Sequence, residues 1–155
     1  MSVDAVGNPL PSPASARAVL GHGFALAAPA GQPAALDLVW QDGPQGGGPA
    51  WVEGVDNLAQ DLAVALLTPL GSDPFNTGFG FEGLSVLTLD LGTALREQLL
   101  QVSIVRTLTA DSRVAEVSDV VLEPLDLQRR QVVRVTVRTV LGQEVPMTLG
   151  EVDLG

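Results

Sequence analysis

His22 is the chain's single histidine, and with no cysteine and no lysine anywhere it is where any nucleophilic or acid–base reading has to start. A Ser or Thr hydroxyl with His22 and an Asp would make a triad in principle. Its Gly21-His22-Gly23 setting, however, is that of an ordinary loop residue, and no cysteine exists for it to activate. A metal centre would need His22 plus carboxylates from distant segments, and no ligand spacing marks one. Glycoside hydrolysis needs only two carboxylates at a suitable separation. Glu53, Asp73 and Glu82, around a Pro/Gly-rich loop, are the candidates. Sugar sites also use aromatic platforms, and here there are Trp40, Trp51, four Phe and no Tyr. Gly78, Gly80 and Gly83 lack the lysine of a phosphate loop. No catalytic, cofactor-binding or metal residue is assigned, and the chain is expected not to be an enzyme.

The remaining charged pattern suits contact with other proteins. Arg130, Arg134 and Arg138 share one parity of a strand running from Arg130 to Leu141, about 13 Å apart at roughly 3.3 Å per residue. Two readings stand: a face that docks an acidic neighbour, or a solvated sheet face with cross-strand pairs to residues such as Glu144 or Glu151. The net charge is −10, which disfavours nucleic acid, since phosphate is repelled. Residues 1–95 hold Arg17 against nine carboxylates, whereas 96–155 hold seven Arg against nine. Either this asymmetry suits docking between unlike surfaces, or it is simply a solubilising acidic surface.

The elements that must position these residues follow from periodicity. With 155 residues, 46% hydrophobic and 17% charged, the chain has enough apolar content for one packed domain. Residues 1–18, with Pro9, Pro11 and Pro13, read as a flexible arm, and 19–155 as a single α+β domain. Leu36, Leu38 and Trp40 alternate as a short strand, and Gln41 to Pro49 is a Gly/Pro loop. A helix starts near Asp56 or Asn57, with Asn57 and Gln60 as a capping box and Val55, Leu58, Leu62, Ala65 and Leu66 as its buried stripe. Thr68-Pro69 stops it, and Gly71, Pro74, Phe75, Phe79 and Gly80 shape the turn that follows. A second helix from about Asp90 to Leu108 carries Leu91, Leu95, Leu99, Val102 and Val105 on one stripe.

Val114 to Leu122 is a strand, and Arg130 to Leu141 is a clearer one with Val133, Val135 and Val137 facing the core. Gly142-Gln143 then makes a two-residue hairpin turn to a partner at Glu144 to Asp153, where Pro146 indicates an edge. The expected fold is therefore a small mixed or antiparallel sheet with two main amphipathic helices and a C-terminal β-hairpin. No apolar run approaches the roughly 20 residues that span a bilayer, and no signal peptide is visible, so a soluble protein made in the cytoplasm is expected.

Several of these segments, taken in order, resemble one family: the baseplate-wedge or sheath-initiator proteins of contractile phage tails and related injection systems, once labelled lysozyme-like. Leu20-Gly21-His22-Gly23-Phe24 resembles the family's Leu-Gly-x-Gly-aromatic opening. Asn57 to Leu67 followed by Thr68-Pro69-Leu70-Gly71 resembles its helix and Thr-x-x-Gly turn. Pro74-Phe75 and Phe79-Gly80 resemble its Pro-x-Phe-Gly region, split here by Asn76-Thr77-Gly78. Its Glu-Pro-Arg motif matches Asp111-Ser112-Arg113, with Ser in place of Pro.

The resemblance implies a virion-type structural component present in several copies, six in a ring. Its partners would be wedge proteins, the sheath protein and the central spike or tube, with no cofactor and no membrane. Asp111 and Arg113 would contact wedge subunits, and an exposed C-terminal strand including Val145 and Thr148 would pair with sheath. The old label also keeps open a peptidoglycan-cleaving enzyme, and composition alone an unrelated acidic binding domain.

Overall fold

The computed structural model describes residues 11–28, 36–44, 46–86, 89–124 and 130–153, with side chains described at all of these except 84, 130, 131 and 149–153. Its first element corrects the flexible-arm reading over residues 13–18. Ser12 caps a helix, α1 (Pro13–Leu20), its Oγ accepting from Ser15 N–H at 3.2 Å, with Pro13 at the first helical position. That Ser-Pro order is a helix start, because proline's missing N–H is one the first turn leaves unbonded anyway. Leu20 ends α1 fully buried. Residues 1–10 of the expected arm lie outside the described residues.

Six short strands follow among the described residues: β1 (His22–Phe24), β2 (Leu26–Ala27), β3 (Asp37–Leu38), β4 (Trp40–Gln41), β5 (Gly48–Pro49) and β6 (Trp51–Glu53). They pair antiparallel as β1–β6, β2–β3 and β4–β5. The three ribbons meet in a ring of backbone hydrogen bonds in which Ala25 N–H donates to Ala50, Ala50 to Val39 and Val39 to Ala25, all at 2.8–2.9 Å. Both ends of the expected loop 41–49 are thus paired as a small ribbon.

The first main helix, α2 (Val55–Leu67), buries Leu58, Leu62 and Leu66, as the stripe requires. It starts after Gly54, and no side chain caps it, which corrects the Asn57–Gln60 capping box. Both amides instead bind the neighbouring chain. Asn57 is buried and donates to Leu20 O at 3.1 Å, while Gln60 accepts from Leu26 N–H at 2.7 Å and donates to Phe24 O at 2.8 Å. α2 therefore holds residues 20–26 much as a neighbouring strand would.

Thr68 ends α2 in an extended conformation, which the following Pro69 demands. The loop then closes on itself: Phe81 N–H donates to Thr68 O at 2.7 Å and Gly71 N–H to Phe79 O at 3.3 Å. At Gly80, with φ +115°, a Cβ would sit 2.7–2.9 Å from three backbone atoms of residues 68–70, so only glycine fits the crossing. Phe81 is the loop's buried anchor, its ring lying over Gly83. Phe75, one of the residues expected to shape the turn, stands 99% exposed at its tip.

A single-turn helix, α3 (Gly83–Val86), leads to the second main helix, α4 (Thr93–Thr109), which starts after Gly92. Its buried residues are Leu100, Ile104 and Leu108, and this overturns the expected stripe. Leu95, Leu99, Val102 and Val105 are exposed, and only Leu91, ahead of the helix, packs against the core. The helix carries two apolar arcs on nearly opposite sides at 100° per residue, and one helix can turn only one of them towards a sheet.

The sheet has the order β7 (Val114–Leu122), β8 (Arg130–Thr139) and β9 (Glu144–Asp153), all antiparallel. β7 is bulged at two places, between Val114 and Glu116 and between Val117 and Asp119. Val133, Val135, Val137 and Thr139 of β8, with Val145 and Met147 of β9, face inward. α4 lies against β7 and α2 against β9, so both helices share one side and the other side faces solvent. The β8–β9 connection is longer than the two residues expected. It spans 140–143, organised by the buried Thr139 hydroxyl, which accepts from Leu141 and Gln143 N–H at 3.2 and 3.1 Å. The architecture is α+β with a C-terminal three-stranded antiparallel sheet.

Candidate functional site

Three segments that are far apart in sequence meet at Arg113. After α4, the turn at Asp111 brings the chain back into β7, with Val114 N–H donating to Asp111 O at 3.0 Å. Asp111 and Arg113 flank this turn and hold each other. Arg113 N–H and Nε–H both donate to Asp111 Oδ1 at 2.9 Å, and Nη2 reaches Oδ2 at 2.6 Å. The other guanidinium nitrogen, Nη1, crosses to Asp61 Oδ2 on α2 at 2.8 Å and to the Leu20 carbonyl at 2.9 Å. Asn57 donates to the same two oxygens, at 3.0 and 3.1 Å. One planar fork thus ties the end of α1, the body of α2 and the α4–β7 turn together, a geometry an ammonium could not span.

The Leu20-Gly21 opening is shaped by this hub. Gly21 takes φ +85°, and a Cβ there would sit 3.1 Å from Asn57 Nδ2 and 3.5 Å from Arg113 Nη1. Any side chain would push against the network that satisfies the Leu20 carbonyl. The charges support one another. The hydrogen bond from the Arg113 side chain holds the Asp111 carboxyl below the usual carboxylate range against the opposing effect of burial. Asp111, and then Asp61, raise Arg113 above its ordinary value.

Asp111 and Arg113, expected to contact wedge subunits, bond to each other and to Asp61 within the molecule. The physical reason is spacing: acid and arginine two residues apart in a tight turn are each other's nearest partners. Between α2, α4 and the loop at 70–80 lies a groove of about 470 Å³, bordered by Asp61, Leu70, Phe79, Glu82, Arg106 and Asp111. Thr68, Pro69, Gly71 and Gly80 form the neck of that loop, with Pro74 and Phe75 at its exposed end.

The three carboxylates weighed for hydrolysis have separate structural duties. Glu53 pairs with Arg17 at 3.3 Å, Asp73 accepts from Phe75 N–H at 2.8 Å, and Glu82 pairs with Arg106 at 3.2 Å. His22 lies opposite Glu53 on the β1–β6 ribbon, its ring 5.9 Å from that of Trp51. No helix among the described residues is long and apolar enough to cross a membrane.

On the solvent side of the sheet, Arg138 sits between Glu116 on β7 at 3.0 Å and Glu144 on β9 at 3.7 Å. Arg134 meets Glu123 at 2.6 Å. Both arginines thus have acidic partners within this molecule and remain partly exposed. The backbone of Arg130 pairs with Asp153, and its side chain lies outside the described residues.

β9 is one edge of this sheet and β7 the other. Even-numbered β8 residues bond towards β7, since Glu123 N–H donates to Val132 O and Val140 N–H to Arg113 O; Thr139 bonds towards β9 through Gln143 O. In an antiparallel ladder this alternation leaves the backbones of Glu144, Pro146 and Thr148, opposite the even residues, facing outward. Thr148 is exposed and lies on the open edge. Val145 is not available to a partner as expected: its side chain is buried in the core and its backbone is turned to β8.

Asn57 and Asp61 complete the site around Arg113, and neither residue is among those that the sequence marks for it. The available signal was an Asn–Asp pair at i, i+4 beside a leucine stripe, polar groups too close to the buried face to be idle. No protein-family model matches the chain, and no curated protein matches it.

Proposed function

We propose that this chain is a non-catalytic structural subunit of a contractile phage tail or a related injection system, an adaptor whose β9 edge pairs with a strand of the first sheath ring. The observation that carries the reading is that open edge. Outward backbone groups at Glu144, Pro146 and Thr148 can accept an added strand, and Pro146, which offers a carbonyl and no N–H, restricts the register in which it adds. The hub supports it in a second way. The segments that resemble the family's opening, helix and acid–arginine motif converge on Leu20, Asn57, Asp61 and Arg113, so their order in sequence has a common physical purpose. That purpose is to build a rigid body behind the edge, as an adaptor between a baseplate and a sheath requires.

Removing β9 altogether would not be a clean test, because Val145 and Met147 are core residues. Thr148→Pro is cleaner. It deletes one outward N–H while leaving the bonds of residues 145 and 147 to β8 untouched. Assembly reactions with the machine's own baseplate and sheath subunits, viewed by electron microscopy, should show sheath seeding reduced severalfold with the variant at unchanged melting temperature. Sheath of normal length and number would overturn the edge-pairing role.

A further inference from the structure

α4 is apolar on two opposite sides, and the molecule uses one. At 100° per residue Leu95, Leu99, Val102 and Arg106 fall within an arc of about 60°, nearly opposite Leu100, Ile104 and Leu108. The outer arc is solvent-facing: Val102 is 66% exposed and Leu95 49%. Its spacing is four, three, four, the narrow seam that receives knobs from another helix and not the broad stripe of a helix lying on a sheet. Gln98 and Val105 flank one side of the ridge, Arg96 and Ser103 the other.

We infer that this ridge docks an acidic amphipathic helix of a partner protein. The apolar spacing sets the partner's secondary structure, and the charges set its sign. In a chain of net charge −10, the charged residues at the ends of this ridge are Arg96 and Arg106. The Arg96 side chain has no ion-pair or hydrogen-bond partner among the described residues, and the Arg106 side chain shares only an exposed contact with Glu82. A second copy of the chain fits poorly. Pairing two α4 helices antiparallel sets Arg96 against Arg106 of the other copy, and pairing them parallel sets each arginine against itself. The ridge spans about 16 Å, three helical turns, so the contact is small and suited to reversible binding. The inference does not depend on the β9 edge or on the machine proposed above.

The test uses the full chain and two labelled three-heptad peptides, each with Leu at both seam positions, one with Glu and the other with Lys at the flanking positions. Fluorescence anisotropy should show the Glu peptide binding about tenfold tighter than the Lys peptide. The double variant Leu99→Glu/Val102→Glu should weaken it by at least another tenfold. Arg96→Glu/Arg106→Glu should invert the preference, a gain of Lys-peptide binding that misfolding could not produce. No binding of the Glu peptide, or binding indifferent to the ridge changes, would overturn the inference. So would sedimentation showing a dimer that the ridge changes disperse, since the occupant would then be a second copy.

Discussion

α2 and α4 lie on the same sheet, yet they divide their residues in opposite ways. α2 has one apolar arc, all of it inside, and its polar residues Asn57, Gln60 and Asp61 are bonded to the chain around it. α4 turns inward only Leu100, Ile104 and Leu108 and holds a second apolar arc in solvent, with Arg96 and Arg106 beside it. α2 is thus a structural post held by its own molecule, whereas α4 has a side left over for contact. That contrast can be broken by measurement. Leu62→Ala on α2 and Ile104→Ala on the inner side of α4 should each lower stability by about 2–5 kcal/mol, the range for truncating a large buried aliphatic. Val102→Ala should stay within roughly 0.5 kcal/mol and could gain slightly, since alanine is the better helix former. Equal losses at Leu62 and Val102 in urea titrations would mean that the outer arc is packed against this molecule after all.

The polar half of the contrast comes next in size. Arg113→Ala removes the cation between Asp61 and Asp111 and a donor to the Leu20 carbonyl, in a half-buried site. The expected loss is about 2–3 kcal/mol, below that of a fully buried pair because the group retains some solvent. Arg113→Lys should recover less than half of it, since one ammonium cannot meet all three partners at once. By comparison Arg96→Ala should be nearly silent in the free protein. A lysine variant as stable as the parent would show that charge matters here and the fork does not.

How far these two helices could be read beforehand follows from the same contrast. α2 was legible because its leucines offer a single arc, and the β8–β9 hairpin because Val133, Val135 and Val137 alternate with Arg134, Thr136 and Arg138. α4 was not, because periodicity identifies an apolar arc and cannot say which of two faces the sheet; that is decided by the packing of α2 and β7. α1 was missed because proline-rich composition outweighed a local Ser-Pro helix start. The hub was only half legible. Asp111 and Arg113 stand out as a pair, but Leu20 lies 93 positions from Arg113 and contributes a backbone carbonyl, which leaves no trace in residue type. Val145 was misplaced for a simpler reason: an edge strand still has one face in the core.

The smallest effect is the most specific probe of the joint between α4 and β7. The Arg113 side chain holds the Asp111 carboxyl below its ordinary range. A carboxylate with a depressed folded pKa binds protons more readily when unfolded. Its contribution is therefore present above the unfolded value of about 3.9 and disappears as pH falls through the lower folded value. Asp111→Asn keeps the shape and removes the charge, so the parent should be the more stable near neutral pH. That gap should hold steady down to about pH 4 and close only in the acid range below it. The signature lies in the difference between the two denaturation curves, because other carboxylates also titrate there and cancel between parent and variant. A gap that stays constant to the acid limit would mean Asp111 stabilises the turn through its neutral hydrogen-bond geometry alone. The charge linkage between α2 and the end of α4 would then be absent, and the two helices would be joined only through their leucines.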